Sequence, residues 1–477
     1  MKGIDAFDRR YSMTGYLLLL VIFLPALAFV ILNNYQTVPA FFNNSEALKQ
    51  IGFPLLNALA ISAAALVLAF PGIIIYAKCP SRVRSFLRVS FAFAFCFPVT
   101  LMSMSLENEY LNLSPFFRAA IANLALNIPL VIVMVGEYLR RLDIRQKLCS
   151  RTIGVSESRF FITLTLPKLV PAFSGVFALV LLRCMAPTDN IIVSMLLSVL
   201  FLIILTSTDN KRSQAELSPA DSETRKGNTF TAVLSFIYMV AAQCLIIVPL
   251  LFMIMRSVLI NGRISFEAYR LLFAPGNDKL LMCLVFCFAI ALASSVIASF
   301  ISVRICVGIA NTGCSLFVAM IPFAIGPVAL ASGFTGLYPW LGQTLTVKLI
   351  FTVLCHILIL TPIQVMILLP VVRTLSPNLR KTSVSLGKTS SQSFMHIDLK
   401  LMETDILCAL FTSIAISIAS YGAAETYGLY TAYTQCLMFW QQGKVSDASA
   451  IGSITLILSF IFFVMGIGHT REGKRNV

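Results

Sequence analysis

The chain has 477 residues, of which 58% are apolar and only 12% are charged, and its mean hydropathy is +0.87. Soluble domains carry about 25% charged residues, so this composition excludes a soluble globular protein and predicts that lipid surrounds most of the chain. The net charge of +15 does not indicate nucleic-acid binding, because the basic residues lie in short clusters between apolar runs.

The apolar runs predict the transmembrane helices in chain order. A spanning helix needs about 20 mostly apolar residues. The first six runs lie near residues 14–32, 53–77, 86–106, 116–136, 171–187 and 191–206. The second six lie near residues 230–255, 280–303, 314–332, 347–370, 403–421 and 448–468. We therefore expect an all-α integral membrane protein with about twelve transmembrane helices.

A polar segment at residues 207–229 separates the two sets of runs and is typical of a solvated linker. It divides the chain into a first half, residues 1–206, and a second half, residues 230–477. Because six spans return the chain to the side from which it started, both halves enter the membrane from the same side. The expected architecture is therefore a parallel repeat of two six-helix halves.

The distribution of lysine and arginine predicts the orientation. With a cytoplasmic N-terminus, 27 basic residues fall in inside segments, eight fall in outside segments, and Arg183 falls within a span. Basic residues are enriched in cytoplasmic loops. We therefore expect both termini to be cytoplasmic.

Two of the inside loops are longer than the others. Loop A comprises residues 137–170 and loop B residues 371–402, and each follows the fourth span of its half. Loop A contains Gly154 and loop B contains Gly387, 233 residues later; nine residues then precede an aliphatic residue, Leu164 or Ile397. A glycine can close a helix in the left-handed conformation. Each loop is therefore predicted to form a helix–turn–helix projection that docks another protein.

The spacing in both loops resembles the EAA loop of the permeases of binding-protein-dependent ABC importers, in which Glu-Ala-Ala, three residues, Gly and nine residues precede Ile-x-Leu-Pro. Loop A has Leu148-Cys149-Ser150 at the first block and ends in Leu164-Thr165-Leu166-Pro167. Loop B has Lys381-Thr382-Ser383 and ends in Ile397-Asp398-Leu399-Lys400. Both loops thus lack the glutamate, and loop B lacks the proline. The resemblance implies that ATPase coupling involves these residues: Gly154, Leu164, Leu166, Pro167, Gly387, Ile397 and Leu399.

Two further segments are similar to the fused permeases of the thiamine and ferric-iron importers, in which one chain carries both halves. Residues 321–334 resemble their proline- and glycine-rich ninth span, and residues 417–424 resemble the end of their eleventh span. The resemblance implies a type I importer permease fold in a bacterial inner membrane. It also implies two copies of an ABC ATPase, which carry the ATP and magnesium, and a periplasmic or lipid-anchored binding protein. Thiamine is the favoured solute, with ferric iron, polyamines and phosphonates as alternatives.

Four polar residues are candidates for the substrate path: Arg183, Asp189, Tyr421 and Glu425. Charges inside spans usually face a cavity or a partner, so Arg183 could line the path. Alternatively, it reaches the outer interface or pairs with Asp189. Tyr421 and Glu425 follow the eleventh span, where they contact a cationic substrate or the binding protein, or belong to a solvated external loop.

No catalytic or cofactor site is expected. Gly387-Lys388-Thr389 is not a phosphate-binding loop, because Thr382 occupies the position of its first glycine. The twelve cysteines include no Cys-x-x-Cys pair, and no serine–histidine–acid constellation occurs. We therefore expect a transport subunit without enzymatic activity. The alternative of another class is an ion-coupled secondary transporter, which would need carboxylates in the middle of the predicted spans, where we find none.

Overall fold

The computed structural model of the chain describes residues 2–34, 45–107, 114–141, 152–184, 198–199, 202–203, 229–260, 263–272, 278–375, 377–420 and 422–468. In these ranges the chain is almost entirely helical, and the only strands are two short ones, β1 (Leu259–Ile260) and β2 (Arg263–Ile264), which pair antiparallel. The predicted all-α class is therefore confirmed.

The helices follow the apolar runs of the sequence. Before residue 185 they are α1 (Lys2–Asn34), α2 (Ser45–Lys78), α3 (Ser81–Phe93), α4 (Val99–Ser105), α5 (Pro115–Arg141), α6 (Glu157–Phe160) and α7 (Leu166–Cys184). From residue 229 they are α8 (Thr229–Val258), α9 (Glu267–Leu272), α10 (Asp278–Thr312), α11 (Leu316–Ile325), α12 (Pro327–Thr335), α13 (Tyr338–Leu341), α14 (Leu345–Thr374), α15 (Pro377–Ser385), α16 (Ser390–Ser393), α17 (Leu399–Ile418), α18 (Gly422–Thr426), α19 (Ala432–Gln441) and α20 (Val445–Gly468). Five-residue π-helical turns at Phe161–Thr165 and Phe394–Asp398 precede α7 and α17.

Eight segments of the described chain are long and apolar enough to cross a membrane as single spans. They are Ile4–Asn33, Gly52–Lys78, Pro115–Arg140, Ala232–Val258, Leu280–Thr312, Leu345–Thr374, Ser390–Ile418 and Val445–Gly468. The number rises to at most ten if each of two bent pairs is one span: Ser158–Val170 with Ala172–Cys184, bent by 45°, and α11 with α12, bent by 81°. These helices identify a multi-pass membrane protein.

The other two expected spans differ in their outcome. The expected third span, residues 86–106, is divided into α3 and α4 by a break that ends at Pro98, the residue before α4. A proline cannot donate the backbone hydrogen bond that a continuous helix needs at that point. The expected sixth span, residues 191–206, lies mostly outside the described residues. A total of twelve spans therefore stays a prediction.

The chain divides into two compact units, and the first comprises residues 1–40, 190–195 and 254–477. Its core joins α10, α14 and α17 with α1 and α12, and it includes Leu19 and Phe23 of α1 packed with Ile301, Cys306 and Phe334. A side chain at Gly333 of α12 would overlap the backbone of Ala26 in α1. A glycine at this position therefore permits close packing of α1 and α12, as small residues do between membrane helices.

The second unit comprises residues 41–189 and 196–253. Here α2, α5 and α7 pack together, and the ring of Phe70 stacks on that of Phe173 with 6.2 Å between centroids. Helix α8 belongs to this unit as far as Met253. The hydroxyl of Tyr238 in α8 donates to the carbonyl of Leu68, and the hydroxyl of Ser90 donates to Oε1 of Gln243 at 2.7 Å.

The packing units therefore exchange the helices that open the two halves. Helix α1 begins the first half in sequence but packs among helices of the second half, and α8 begins the second half but packs largely among helices of the first half. The boundaries predicted from chain order, 1–206 and 230–477, describe the repeat in the sequence rather than the packing. Each half thus has most or all of its first helix in the packing unit formed mainly by the other half.

Candidate functional site

Loop A contains a tight turn between helical segments, in the part that the structure describes. A helical residue, Thr152, precedes a turn at Ile153 and Gly154, and Gly154 has φ of +79°. Ser156 then begins α6, because its carbonyl accepts the amide of Phe160 at 2.9 Å and its hydroxyl accepts the amide of Arg159 at 3.4 Å. The first block of the loop, residues 148–150, lies outside the described residues.

Loop B has the same turn, and here its hydrogen bonds are fully described. The amide of Gly387 donates to the carbonyl of Val384 at 3.0 Å, and the amide of Lys388 donates to that of Ser383 at 3.3 Å. Together with φ of +91° at Gly387, these bonds form the motif that closes helices at a glycine. Thr389 then starts α16 with a capping box, in which the side chains of Thr389 and Gln392 bond to each other's backbone amides.

The two loops repeat one another residue by residue. The turn glycine, the capping hydroxyl, the four-residue helix, the π-helical turn and the first residue of the following long helix each recur after 233 residues. π-Helical turns are rare and are frequent at functional sites. The same order of backbone elements therefore recurs in the described parts of the two loops, although most of their side chains differ.

Exposed apolar side chains also recur at equivalent positions. Ile153 is 78% exposed and Leu386, its equivalent before the second glycine, is 79% exposed. Ile162 and its equivalent Met395 are 62% and 58% exposed. Ile153 and Leu386 lie outside every segment that qualifies as a membrane span. An exposed apolar side chain outside the apolar spans is a candidate contact for a partner.

The coupling residues predicted from the resemblance lie on these projections. Gly154 and Gly387 form the turns. Leu164 is 45% exposed, Pro167 is exposed, and Leu166, Ile397 and Leu399 are half-buried. Leu399 packs against the core of the first unit. Each loop thus combines an exposed tip with a base that is fixed to its own unit.

A buried ionic cluster fixes the base of loop B to α1. Arg380 of α15 donates from Nη2 to Oδ1 of Asp8 at 2.6 Å and from Nη1 to Oδ2 at 3.0 Å. Asn311 of α10 donates to Oδ2 of Asp8 at 3.0 Å, and Oδ2 of Asp398 lies 3.5 Å from Nη1 of Arg380. The rings of Phe7 and Phe394 lie 5.4 and 5.5 Å from the guanidinium. Reasoning from the sequence missed this cluster, because Asp8 is about 300 residues or more from each of its partners.

The second unit has a different polar cluster at the end of α5, where loop A begins. Glu137 accepts hydrogen bonds from the hydroxyl of Tyr76 at 2.7 Å and from Nη2 of Arg88 at 2.9 Å. Arg140 donates to its other oxygen from Nε at 3.2 Å and from Nη2 at 3.1 Å. This cluster ties α2, α3 and α5 together. A carboxylate paired with arginine thus lies at the start of loop A and within loop B, at positions that are not equivalent in the repeat.

Arg183, a candidate for the substrate path, bonds to the backbone of the broken third span. Its Nη2 donates to the carbonyls of Ala94 at 2.6 Å and Phe97 at 3.1 Å, and its guanidinium lies 5.5 Å from the ring of Phe95. The break between α3 and α4 frees these carbonyls from helical bonds, and a charged donor satisfies them. Nη1 is buried without a partner among the described residues.

The structure describes one of the three other candidates for the substrate path, Glu425. Glu425 is exposed on α18, close to the buried Tyr427, whose hydroxyl donates to the carbonyl of Ala331 at 3.1 Å. Asp189 and Tyr421 lie outside the described residues. Within the described ranges, no three His, Cys, Asp or Glu residues form a group suited to a metal ion.

Comparison of the sequence with protein-family models gave no match, and comparison with curated proteins gave no relative. Any functional assignment therefore has to rest on the residues and their geometry.

Proposed function

We propose that this chain is the fused permease subunit of an ATP-driven importer in a bacterial inner membrane. The observation that carries the proposal is the repeated projection around Gly154 and Gly387. Two projections with the same order of backbone elements, each followed by a long apolar helix, suit a partner that presents the same cleft twice. The partner is two copies of an ABC ATPase, and a periplasmic or lipid-anchored binding protein delivers the solute.

In this mechanism the loops transmit motion to α7 and α17. Nucleotide binding closes the two ATPases, and the projection seated in each one moves with it. Loop A leads directly into α7 and loop B into α17 through a π-helical turn. The solute path then alternates between its two open states, because nucleotide binds one state of the assembly more tightly. ATP and magnesium remain on the partner chains, so this chain contributes no catalytic residue.

Twelve transmembrane helices, cytoplasmic termini and a type I permease fold complete the proposal. Eight single spans of the described residues, or up to ten if each bent pair is one span, support this number, and the exchange of α1 and α8 supports a parallel repeat. The solute is a small molecule. Thiamine is favoured and ferric iron is the alternative, as the resemblance of residues 321–334 and 417–424 implies.

Uptake of labelled thiamine and labelled ferric iron tests the proposal in cells with and without the gene. The decisive variant is Gly387→Asp, which places a charged side chain at φ of +91° on the tip of loop B. Its matched control is Gly443→Asp, because Gly443 is also exposed and has φ of +76° but lies after α19, far from either loop in sequence.

We expect gene-dependent uptake of one solute, a loss of at least tenfold in Gly387→Asp, and nearly normal uptake in Gly443→Asp. Equal uptake by Gly387→Asp and the wild type would contradict the coupling role of the loop. Uptake of iron rather than thiamine would keep the architecture and change the solute.

An ion-coupled secondary transporter is the alternative of another class. Asp398, Glu403 and Asp405 all lie within the segment Ser390–Ile418, and Glu403 and Asp405 are the ones near its middle, where a coupling carboxylate would have to lie. Depleting ATP while an ion gradient is maintained separates the two functions: an importer loses uptake, and a secondary transporter keeps it.

A further inference from the structure

Three polar atoms in the interior of the first unit have no hydrogen-bond partner among the described residues: Oγ of Ser295, Nε2 of His356 and Oε1 of Gln364. The three residues are 0%, 4% and 0% exposed. Ser295 lies near the middle of α10, and His356 and Gln364 lie in the central part of α14. Buried polar groups nearly always have a partner, so three unpaired atoms on two packed helices call for an explanation.

Ser295 differs from the other serines of its helix. The hydroxyls of Ser294, Ser299 and Ser302 each donate to the carbonyl four residues earlier, at 2.6, 2.9 and 2.6 Å. This local bond is the usual way in which a buried helical serine is satisfied. Ser295 makes no such bond, and its hydroxyl therefore keeps both a donor and acceptor capacity.

The orientation of Gln364 is fixed by its neighbours. Its Nε2 donates to the carbonyl of Ser295 at 3.1 Å and to the hydroxyl of Ser413 at 2.9 Å. A backbone carbonyl only accepts, so the nitrogen of the amide has to face it. The oxygen of the same amide is consequently the atom left without a donor.

The ring of His356 likewise has a hydrogen-bond partner at only one of its two nitrogens. Its Nδ1 lies 2.6 Å from the hydroxyl of Ser417, and its Nε2 is unpaired. Ser413 and Ser417 are one helical turn apart on α17, so His356 and Gln364 of α14 both reach the same face of α17. Serines of α10 and α17 and the two residues of α14 thus form one polar seam where the three helices pack.

Two of the three residues have a polar equivalent in the first half. Ser62 of α2 and Asn123 of α5 precede Ser295 and His356 by 233 residues, whereas Val131 is the equivalent of Gln364. The hydroxyl of Ser62 donates to the carbonyl of Ala58 at 2.7 Å. Oδ1 of Asn123 is also buried without a partner among the described residues. Polar side chains inside membrane bundles are costly and usually functional, and the unpaired atoms of Asn123 and His356 at equivalent positions argue against a role in packing alone.

We propose that Ser295, His356 and Gln364 form an intramembrane site that water can enter and that binds uncharged hydrogen-bonding groups, such as the hydroxyl, amide or amino groups of a small solute. The three atoms offer a donor and two or more acceptors. Among the described residues, no carboxylate or basic side chain bonds to any of them, so nothing in the site compensates a full charge. In the proposed importer, this is where such a group of the solute would bind; that last step rests on the proposed function.

Thiol labelling of Ser295→Cys tests the site without knowledge of the solute or the ATPase. The probes are two methanethiosulfonates, a neutral hydroxyethyl reagent and a cationic trimethylammonium-ethyl reagent, applied to the purified chain in lipid. Cys287 and Cys306 on the same helix are internal controls: both are buried, and their thiols lie 3.6 and 3.8 Å from the carbonyls of Ile418 and Val365. Mass spectrometry of the peptides reports each cysteine separately.

The proposal predicts that the neutral reagent modifies the introduced thiol at least tenfold faster than Cys287 and Cys306. After correction for reactivity with a free thiol, the neutral reagent should also modify the introduced thiol faster than the cationic one does. An introduced thiol as unreactive as the two controls would overturn the site, and faster labelling by the cation would overturn its chemical class. Failure of the transport experiments would leave these results unchanged.

A second measurement needs no substitution and covers the case in which Ser295→Cys does not fold. Hydroxyl radicals generated from water oxidise side chains that water reaches. We expect oxidation of His356 well above that of Phe334, a reactive side chain of the same unit that is 2% exposed. Equal protection of the two residues would contradict entry of water into the site.

Discussion

Asp8 and Arg380, 372 residues apart in the sequence, form a buried two-point ion pair with bonds of 2.6 and 3.0 Å. The side chains of both are 5% exposed. The pair joins the start of α1 to α15, the helix that leads to the turn at Gly387. It therefore links the first helix of the chain to the projection that we propose couples transport to ATP hydrolysis.

Asp8→Asn should destabilise the first unit, because it leaves the charge of Arg380 buried with only Asp398 beside it. Breaking a buried ion pair on one side costs about 3–5 kcal/mol. The measurement is the thermal unfolding midpoint of the purified protein in detergent. Asp5→Asn is the matched control, since Asp5 lies on the same helix and is exposed, and we expect it to unfold like the wild type. A double reversal, Asp8→Arg with Arg380→Asp, that recovers none of the loss would argue against the pair.

Ile153→Glu and Leu386→Glu should leave stability unchanged and lower transport to a similar degree. Both side chains are almost fully exposed on equivalent turns, so a charge there costs the fold little but opposes burial against a partner. Unfolding midpoints and solute uptake are measured for each variant. Ile264→Glu, at a position 76% exposed in β2, is the control expected to transport normally. Unequal effects of the two loop variants would contradict equivalent docking.

Arg183→Met should lower stability through the break between α3 and α4. The substitution removes two charge-assisted hydrogen bonds to the carbonyls of Ala94 and Phe97, and such bonds contribute about 1.5–3 kcal/mol each. Unfolding midpoint and uptake are compared with those of Arg270→Met, which removes an exposed arginine of α9. If Arg183→Met is as stable as the control, the hydrogen bonds to Ala94 and Phe97 do not stabilise the protein. If its uptake is also normal, Arg183 has no role in the substrate path.

Gly333→Ala should weaken the packing of α1 on α12. A methyl group at this position would overlap the backbone of Ala26, and overpacking a well-packed site costs about 1–3 kcal/mol. The control is Gly52→Ala in α2, where a methyl group meets nothing within 4 Å. A stable Gly333→Ala protein would contradict the close approach of the two helices, and with it the assignment of α1 to the first unit.

The sequence predicted the parts of the fold that depend on local patterns. Apolar runs of sufficient length predicted eight of the expected spans, or ten if each bent pair is one span, and the positions of Gly154 and Gly387 predicted the two tight turns. Hydropathy did not predict that the third span is divided into two helices. The run of apolar residues continues through Pro98, whereas the helix is interrupted before it.

The parts that depend on distant partners could not be predicted. Nothing near Asp8 or Arg380 in the sequence indicates that they meet, and the exchange of α1 and α8 depends on packing between residues that are far apart in the chain. The sequence suggests a substrate or Asp189 as the partner of Arg183. Its described partners are instead the carbonyls of Ala94 and Phe97, and no side-chain pattern identifies a carbonyl as a partner because every residue has one. The sequence also does not single out His356 and Gln364 as a candidate site, because only the structure shows that each has a buried polar atom without a partner.

The most direct test of the central claim is to purify the tagged chain with its native partners and measure ATP hydrolysis and stoichiometry. We predict that the wild type retains an ATP-hydrolysing protein at two copies per chain, and that the double variant Ile153→Glu, Leu386→Glu loses it while remaining folded. Purification of the wild type without any ATPase, or retention of an ATPase by the double variant at unchanged stoichiometry, would contradict the proposal that these two loops couple the chain to ATP.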